Sequence, residues 1–573
     1  MLRLSELRLP LDHGPDAVPL AILKRLRIPP ERLISHRLIK RSIDARRHDR
    51  IQLIYSLDVE VKGQSAVLKK HRGDSRLRLA PDTRYRAVGK APPDFGSDAS
   101  MRPVVIGAGP CGYFAALLLA QMGFRPLLLE RGQAVKQRTA DTFGFWKGTS
   151  PFQPESNAQF GEGGAGTFSD GKLYSQVSDP EHYGRKVLEE LVASGANPEI
   201  LTVHRPHIGT FKLATVVRGL RSRIEELGGE VRFGAKVEEL ILEPIVHQTG
   251  ADQRSAEDSG NDGVVQQQRL VGLKLADGSS LACSQAVLAP GHSARDTFAM
   301  LERQGVAMTA KPFAVGFRIE HPQSLIDHAR WGAQAGHPQL GAAEYKLVHH
   351  ADNGRCVYSF CMCPGGLVVG ATSEPGRVVT NGMSQHSRNE RNANSGLVVP
   401  VLDEDLVPYQ RFPGDPLAGV AFQRALEEQA FALGGGDYSA PVQRLEDFLA
   451  DRPSTGLGSI AASYQPGVRA ADLRQALPAP MVEALQEALP AFARRLEGYD
   501  HPDALLTGVE TRTSSPVRLP RDQHLESTNT AGLTPAGEGA GYAGGILSAA
   551  IDGIRAAESV ALRLLVQEPR GLG

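Results

Sequence analysis

Three glycines and an acid carry the first chemistry in this chain. Residues 103–130 read PVVIGAGPCGYFAALLLAQMGFRPLLLE, with glycines at 107, 109 and 112 after the apolar Val104, Val105 and Ile106 and before an apolar run from 113 to 122. Strand, tight turn and helix are expected, then a second strand at 126–129 that delivers Glu130 eighteen residues after Gly112. Gly107 makes the turn, Gly109 lets backbone approach a pyrophosphate, and Gly112 lets helix and strand pack closely. The helix N-terminus offers free N–H groups and positive potential to phosphates. Glu130, with Arg131 beside it, is placed to accept hydrogen bonds from the two hydroxyls of an adenosine ribose. Together the parts read as dinucleotide binding.

Two further glycine-rich stretches point the same way. QFGEGGAGTFSDGK at 159–172 interleaves Gly161, Gly163, Gly164 and Gly166 with Thr167, Ser169 and Lys172, giving close backbone approach, hydroxyl donors and a cation. Phe160 and Phe168 speak against a flexible linker, so a loop wrapped over a ligand is expected. LTPAGEGAGYAGGI at 533–546 supplies Gly537, Glu538, Gly539, Gly544, Gly545 and Ile546 just before a helix over 547–566. Between these lie Arg138, which can reach a phosphate or face solvent, and Pro290-Gly291-His292, a turn that returns toward the nucleotide.

For the reaction itself, Lys172 and Arg512 are the cations suited to orienting a carboxylate or carbonyl. Cys361 and Cys363 form the only close cysteine pair. A CxC pair can be a redox dithiol, two metal ligands or small apolar residues at a strand end. Metal is set aside, because zinc sites want two such pairs and no His/Cys cluster lies nearby. Along an extended strand two such residues stand roughly 6.5 Å apart at Cα, near the far end of the disulfide range of about 4.4–6.8 Å. Substrate binding by Arg512 and Lys172 is therefore favoured over thiol chemistry.

The elements that must position these groups exceed one core. At 573 residues, 41% hydrophobic and 22% charged, the chain is expected to form two or three globular domains. It shows no membrane-length apolar run and no signal-peptide pattern at its start, and five unevenly spaced cysteines make no disulfide framework, so the cytoplasm is the expected location. Net charge is zero, yet residues 1–90 hold 21 Lys and Arg against 10 Asp and Glu. Such asymmetry suits either nucleic-acid binding or docking on an acidic body of the same chain, and the scarcity of aromatics to stack on bases favours docking. Leu7, Leu9 and Leu11, a helix ending near Leu26 and an alternating strand over 53–61 make this segment a small α+β module. Helices are expected at 183–196, 211–228, 417–433 and 478–496, strands at 314–320, 356–361 and 366–370, and a hairpin pairing 269–276 with 281–288. The Ser, Asp, Gly and Gln-rich stretch 248–268 reads as a disordered hairpin tip.

VVIGAGPCG with Glu130, APGH at 289–292 and TPAGEGAGYAGGI at 534–546 resemble the FAD-binding elements of two-dinucleotide-binding-domain flavoproteins. Together with QFGEGGAGTFSDGKL at 159–173, SFCMCPGG at 359–366 and TRTSSPVRLPRD at 511–522, the whole chain resembles a bacterial family called uncharacterised FAD-dependent dehydrogenases. The resemblance implies non-covalent FAD, with Gly107, Gly109, Gly112 and Glu130 on the ADP half and Gly537, Glu538 and Gly539 at the pyrophosphate and ribityl chain. It also implies that the helix start at Gly544, Gly545 and Ile546 faces the flavin pyrimidine edge. No second GxGxxG with a trailing acid appears for NAD(P)H, so NAD(P)H is a possible reductant without a dedicated site.

The expected fold class is α/β: a basic α+β module at 1–95, a Rossmann-like FAD-binding domain from 101–310 and 503–573, and an inserted mixed α/β substrate domain at 311–502, with Gly163 to Lys172 covering the flavin. The expected activity is an FAD-dependent oxidoreductase acting on a small molecule. The alternative is an FAD-containing RNA-binding or tRNA-modifying protein that uses the basic module.

Overall fold

The computed structural model describes residues 1–47, 49–96, 99–175, 177–245 and 268–566. The stretch 248–268 lies outside them except for Gln268.

Uninterrupted apolar strands want both faces covered, which is the habit of parallel sheets. Val104–Ile106, Leu127–Leu129 and Ala286–Leu288 are buried at all nine positions. They form a five-stranded parallel sheet in the order Leu533–Pro535, Ala286–Leu288, Val104–Ile106, Leu127–Leu129, Glu230–Arg232. The helix Pro110–Gln121 follows the glycine turn and is buried from Cys111 to Ala120. It is covered in turn by the closing helix Ile546–Val566, where Gly553 permits the approach: a Cβ there would sit 2.1 Å from the Cys111 carbonyl oxygen. Residues more than four hundred apart in sequence thus build one core.

The expected hairpin is half right. Gln268–Leu275 pairs antiparallel with Val237–Pro244 and with Ser280–Ala282, but Ala286–Leu288 leaves it for the parallel sheet, the only place that buries both faces of Ala-Val-Leu.

The insertion is a seven-stranded sheet in the order Val348–His350, Cys356–Cys363, Asn392–Pro400, Ala314–Pro322, Leu505–Glu510, Ala440–Arg444, Val468–Ala470, with the helices Ala418–Leu433 and Ala479–Ala493. This corrects the boundary expected at 502. Leu505–Glu510 is buried at every position and pairs with Ala314–Pro322 on one side and Ala440–Arg444 on the other, so it belongs to the insertion. Its last residue opens directly on the site.

The N-terminal module is a four-stranded sheet in the order Leu33–Asp44, Gln52–Val61, Leu2–Pro10, Leu77–Leu79. Leu33–Asp44 has no buried position, which is why alternation did not reveal it. Much of the module's charge is spent inside it: Arg3 and Arg37 on Asp58, Arg8 and Arg46 on Asp44, Arg25 on Asp74. It also touches the body, where Arg41 N–H donates to the Thr202 carbonyl at 2.7 Å and Tyr85 donates to Glu558 at 3.0 Å.

Candidate active site

A cavity lies where the parallel strands end, the usual ligand position in open α/β sheets. The space between its walls, mouth included, is about 1720 Å³. Ile106, Leu129 and Leu288 close the strand side, and the glycine turns, the 159–172 loop and the edge of the insertion complete it.

The glycines divide into two kinds, and the division tests the fit of a dinucleotide. Gly107 (φ +100°) and Gly112 are held by the protein itself. A Cβ on the first would meet the Ala289 carbonyl oxygen at 2.3 Å, and one on the second would meet the Gly107 carbonyl oxygen at 1.8 Å. Gly109, by contrast, has an ordinary φ of −77°, and its Cβ direction is open into the cavity, the nearest heavy atom being the Gly164 Cα at 3.9 Å. Gly291 and Gly545 also line the cavity with nothing within 4 Å of a Cβ. These three bare backbones are a cradle shaped for a ligand that lies flat against the chain. Gly164, Gly166, Gly537, Glu538 and Ile546 join them in the wall.

Besides Gly112 and Arg138, three expected contacts fall outside that wall. Gly539 packs behind Gly291, where a Cβ would meet its backbone at 2.7 Å; Gly163 is closed by the Thr167 hydroxyl at 2.1 Å; and Gly544 is exposed beside Glu538. The first two shape the turns and leave the ligand to their neighbours.

Glu130 lines the cavity and accepts N–H groups of Ala108 at 2.8 Å and of Gly132 and Gly161 at 2.9 Å. An ionised carboxylate has about four acceptor positions. One remains, room for a single further donor, and Glu130 ties the two glycine loops together. Arg131 also lines the cavity, with its guanidinium on Glu155 and Asp296 and over the Phe160 ring at 4.0 Å.

Arg138 requires a correction. It is fully buried, neither on a phosphate nor in solvent, and donates to the carbonyls of Asn157, Ala158, Gly161, Glu162 and Gly164 at 2.7–3.2 Å. Burial pulls its proton affinity down to about 10. It is the pin that fixes the 159–172 loop, and the Gly163 N–H fastens that loop to the first turn through the Ala108 carbonyl at 2.8 Å.

At the far end the polar groups converge. Lys172 lines the cavity, pairs with Asp170 at 2.8 Å and donates to the Met362 carbonyl. Burial works against its ammonium, but Asp170, then Cys363 and Cys361, outweigh it and hold the proton more tightly than usual. Arg512 lines the cavity but is less free than expected. It binds Glu427 at 3.0 and 3.1 Å and the hydroxyls of Ser293 and Ser373, while Arg295 holds the same carboxylate at 2.6 and 2.8 Å. It braces the junction between the insertion and the parallel-sheet domain.

The strand Cys356–Cys363 is not regularly extended at its cysteines. Phe360 pairs with Gly396 and Cys363 with Asn394, three residues against two, and Cys361 takes φ +43°. This bulge turns Cys361 to the cavity wall and leaves Cys363 buried. Sequence reasoning named His292 only as part of its turn and passed over Glu510, Asn381 and Thr380. The Thr380 hydroxyl is buried, lines the cavity and has no partner among the described residues. Burial raises the carboxyls of Glu510 and Glu538 to about 7 and drops His292 to about 3, with Arg512 and Arg295 adding to the drop. No group of three or more potential metal ligands occurs among the described residues, and no helix among them is long and apolar enough to cross a membrane.

A bare-backbone cradle, an acid at the second strand end and a loop pinned across them define a dinucleotide-binding flavoprotein of the Rossmann-like class. Residues 312–513 match the family model "FAD-dependent protein, C-terminal domain-like", and residues 1–60 match a domain of unknown function. An uncharacterized protein of Clostridium beijerinckii is 44% identical over 562 residues, 98% of each chain. Among solved structures, glycine oxidase from Bacillus cereus shares 10% identity over 82% of this chain and 99% of its own, with a TM-score of 0.32. A 3-ketosteroid dehydrogenase from Rhodococcus jostii shares 13% over 80% and 96%, with a TM-score of 0.31. The chain belongs to one family with the Clostridium beijerinckii protein, and the model matched by its residues 312–513 makes that family FAD-dependent.

Proposed function

We propose that this protein passes a hydride between FAD and a small organic substrate, or between FAD and NAD(P)H. The observation that carries the reading is the single cavity that runs from the bare glycine cradle to a cluster of polar groups contributed by the insertion. Gly109, Gly291, Gly545 and Glu130 would hold the dinucleotide, and the Pro110–Gln121 helix start would face its phosphates. FAD, when bound, supplies the two-electron acceptor or donor.

The chain's own residues do the rest. Asn381, the Thr380 hydroxyl and the Lys172 ammonium orient a carbonyl or carboxylate at the insertion end. The Glu510 carboxyl, raised to about 7 by burial, holds or releases a proton near neutral pH. Arg512 and Glu427 keep the insertion seated over the cradle, which excludes water. The five free cysteines fit a reducing compartment, and we place the protein in the cytoplasm.

The test is anaerobic stopped-flow mixing of the FAD-loaded protein with NADH, NADPH and a panel of small alcohols, amines and acids, watching the flavin band bleach. Rapid bleaching by one of them identifies the donor. A flavin that dithionite reduces but none of these bleaches would refute the reading.

A further inference from the structure

The cysteine pair, set second by its sequence spacing, is repositioned by the fold. Cys361 sits at the bulge with φ +43° on the cavity wall; Cys363 lies two residues on, buried, its S–H donating to the Cys361 carbonyl oxygen at 3.4 Å. Two cations clamp the bulge. Lys172 donates to the carbonyl of Met362, between the cysteines, and Arg318 donates to that of Cys361 at 2.9 Å. A neutral donor would satisfy those carbonyls equally well. Buried charges bring a positive potential to the sulfur besides.

We propose that Cys361 and Cys363 form a redox-active dithiol opening on the substrate end of the cavity, with Cys361 as the attacking thiolate, Cys363 as the resolving thiol and a small disulfide as the class of substrate. Cys361 sulfur attacks one sulfur of the substrate, the substrate S–S bond breaks and the first thiolate leaves. Cys363 then attacks the Cys361 sulfur, the second substrate thiol leaves, and the Cys363 proton passes to a departing thiolate. The dithiol loses two electrons and the substrate disulfide gains them. This proposal rests on the oxidoreductase reading for one thing alone, the return of those two electrons from a hydride donor by way of the reduced flavin.

The charged groups around the pair support the assignment of roles. Lys172, Arg318 and Arg388 face it as cations, and Asp170, Glu510 and Glu538 as anions. The neighbouring Cys363 thiol lowers the Cys361 thiol below its ordinary value, Lys172 and Arg318 add to this, and burial opposes it. The Cys361 thiol in turn, with burial, raises Cys363. An attacking thiol that ionises readily and a resolving one that stays protonated are what the exchange requires.

The half-reaction is tested without flavin. Flavin-stripped, pre-reduced protein in a Cys356→Ser background, which removes the one other partly exposed cysteine, is mixed with dithiodipyridine under native conditions. Two equivalents of thiopyridone are expected in the fast phase, with a two-dalton mass loss. One equivalent is expected from Cys363→Ser, retained as a mixed disulfide, and none from Cys361→Ser or, should the serine variant melt early, Cys361→Ala. The rate of Cys361 alkylation by iodoacetamide should titrate below the free-thiol value of about 8.5 and move upward in Lys172→Met. An unchanged thiopyridone count in both Cys361 variants, or alkylation titrating as a free thiol, overturns the proposal. Dithionite titration of the FAD-loaded protein reads the link to flavin separately: four electrons expected for the parent, two for the double cysteine variant.

Discussion

Substituting Gly109 by alanine separates binding from folding. Nothing in the protein opposes the new methyl: φ is −77° and the nearest heavy atom to the Cβ is 3.9 Å away. The cost to the apoprotein is that of changing an N-cap residue from Gly to Ala, about 0.5–1 kcal/mol. For the cofactor the same methyl occupies the space where backbone must meet pyrophosphate. Displacing the phosphate from even one or two charge-assisted N–H bonds, each worth about 1.5–3 kcal/mol, should lose about 3 kcal/mol, roughly a hundredfold in Kd. Gly112→Ala should behave in the opposite way, because its Cβ would lie 1.8 Å from the Gly107 carbonyl oxygen. Overpacking of this kind costs about 1–3 kcal/mol in the apoprotein itself. FAD fluorescence quenching on stripped protein measures the first quantity and apoprotein melting the second. A Gly109→Ala protein that binds FAD as tightly as the parent, or that melts as early as Gly112→Ala, would refute this division of the glycines.

Glu427→Gln leaves Arg295 and Arg512 buried without a full counter-charge and should destabilise by about 3–5 kcal/mol, read as a lower urea midpoint for the flavin-free protein; an unchanged midpoint would show that Ser293, Ser373 and Glu374 suffice. Arg138→Leu takes a donor from five carbonyls, two of which, those of Asn157 and Ala158, have no other donor among the described residues, and should abolish retained FAD along with protease resistance of the 159–172 loop, whereas a stable, FAD-loaded variant would show that the loop holds without its pin. His292 is depressed from 6.5 to about 3 by burial, so the native state binds fewer protons than the unfolded chain in that window. Its contribution is present above pH 6.5 and lost as pH falls toward 3, by about 2–4 kcal/mol after allowance for partial exposure. The melting temperature of the parent should therefore fall more steeply from pH 7.5 to 4 than that of His292→Gln, and parallel curves would sink the assignment.

What the sequence revealed was local. The turn at Gly107 and the close packing at Gly112 follow from one strand, one turn and one helix start, all within ten residues, so spacing alone sufficed. The insertion's helices and its strands at Ala314–Pro322 and Gly366–Gly370 were legible for the same reason, through periodicity. The misses are long-range. Leu505–Glu510 reads as any apolar strand, and only its pairing with Ala314–Pro322, nearly two hundred residues earlier, assigns it to the insertion. Arg138 sits in a polar stretch, and no pattern announces that five carbonyls from 157 to 164 converge on its guanidinium. The cysteine bulge depends on a register mismatch with Asn392–Pro400, invisible from the CxC spacing itself. Glu427 carries no signal at all, because its partners Arg295 and Arg512 lie on separate elements.

The closing helix bears on how the protein is made. The strand Leu533–Pro535 and the helix Ile546–Val566 complete the sheet and cover the helix Pro110–Gln121, so the first dinucleotide segment leaves the ribosome long before its partners exist. At roughly 5–20 residues per second the wait is on the order of tens of seconds, with the side of Pro110–Gln121 that the closing helix covers bare until then. The cavity wall, which includes Gly537, Glu538, Gly545 and Ile546, is incomplete for as long. A nascent chain stalled anywhere short of the closing helix should be held by chaperones and be unable to retain FAD, however complete its first glycine motif.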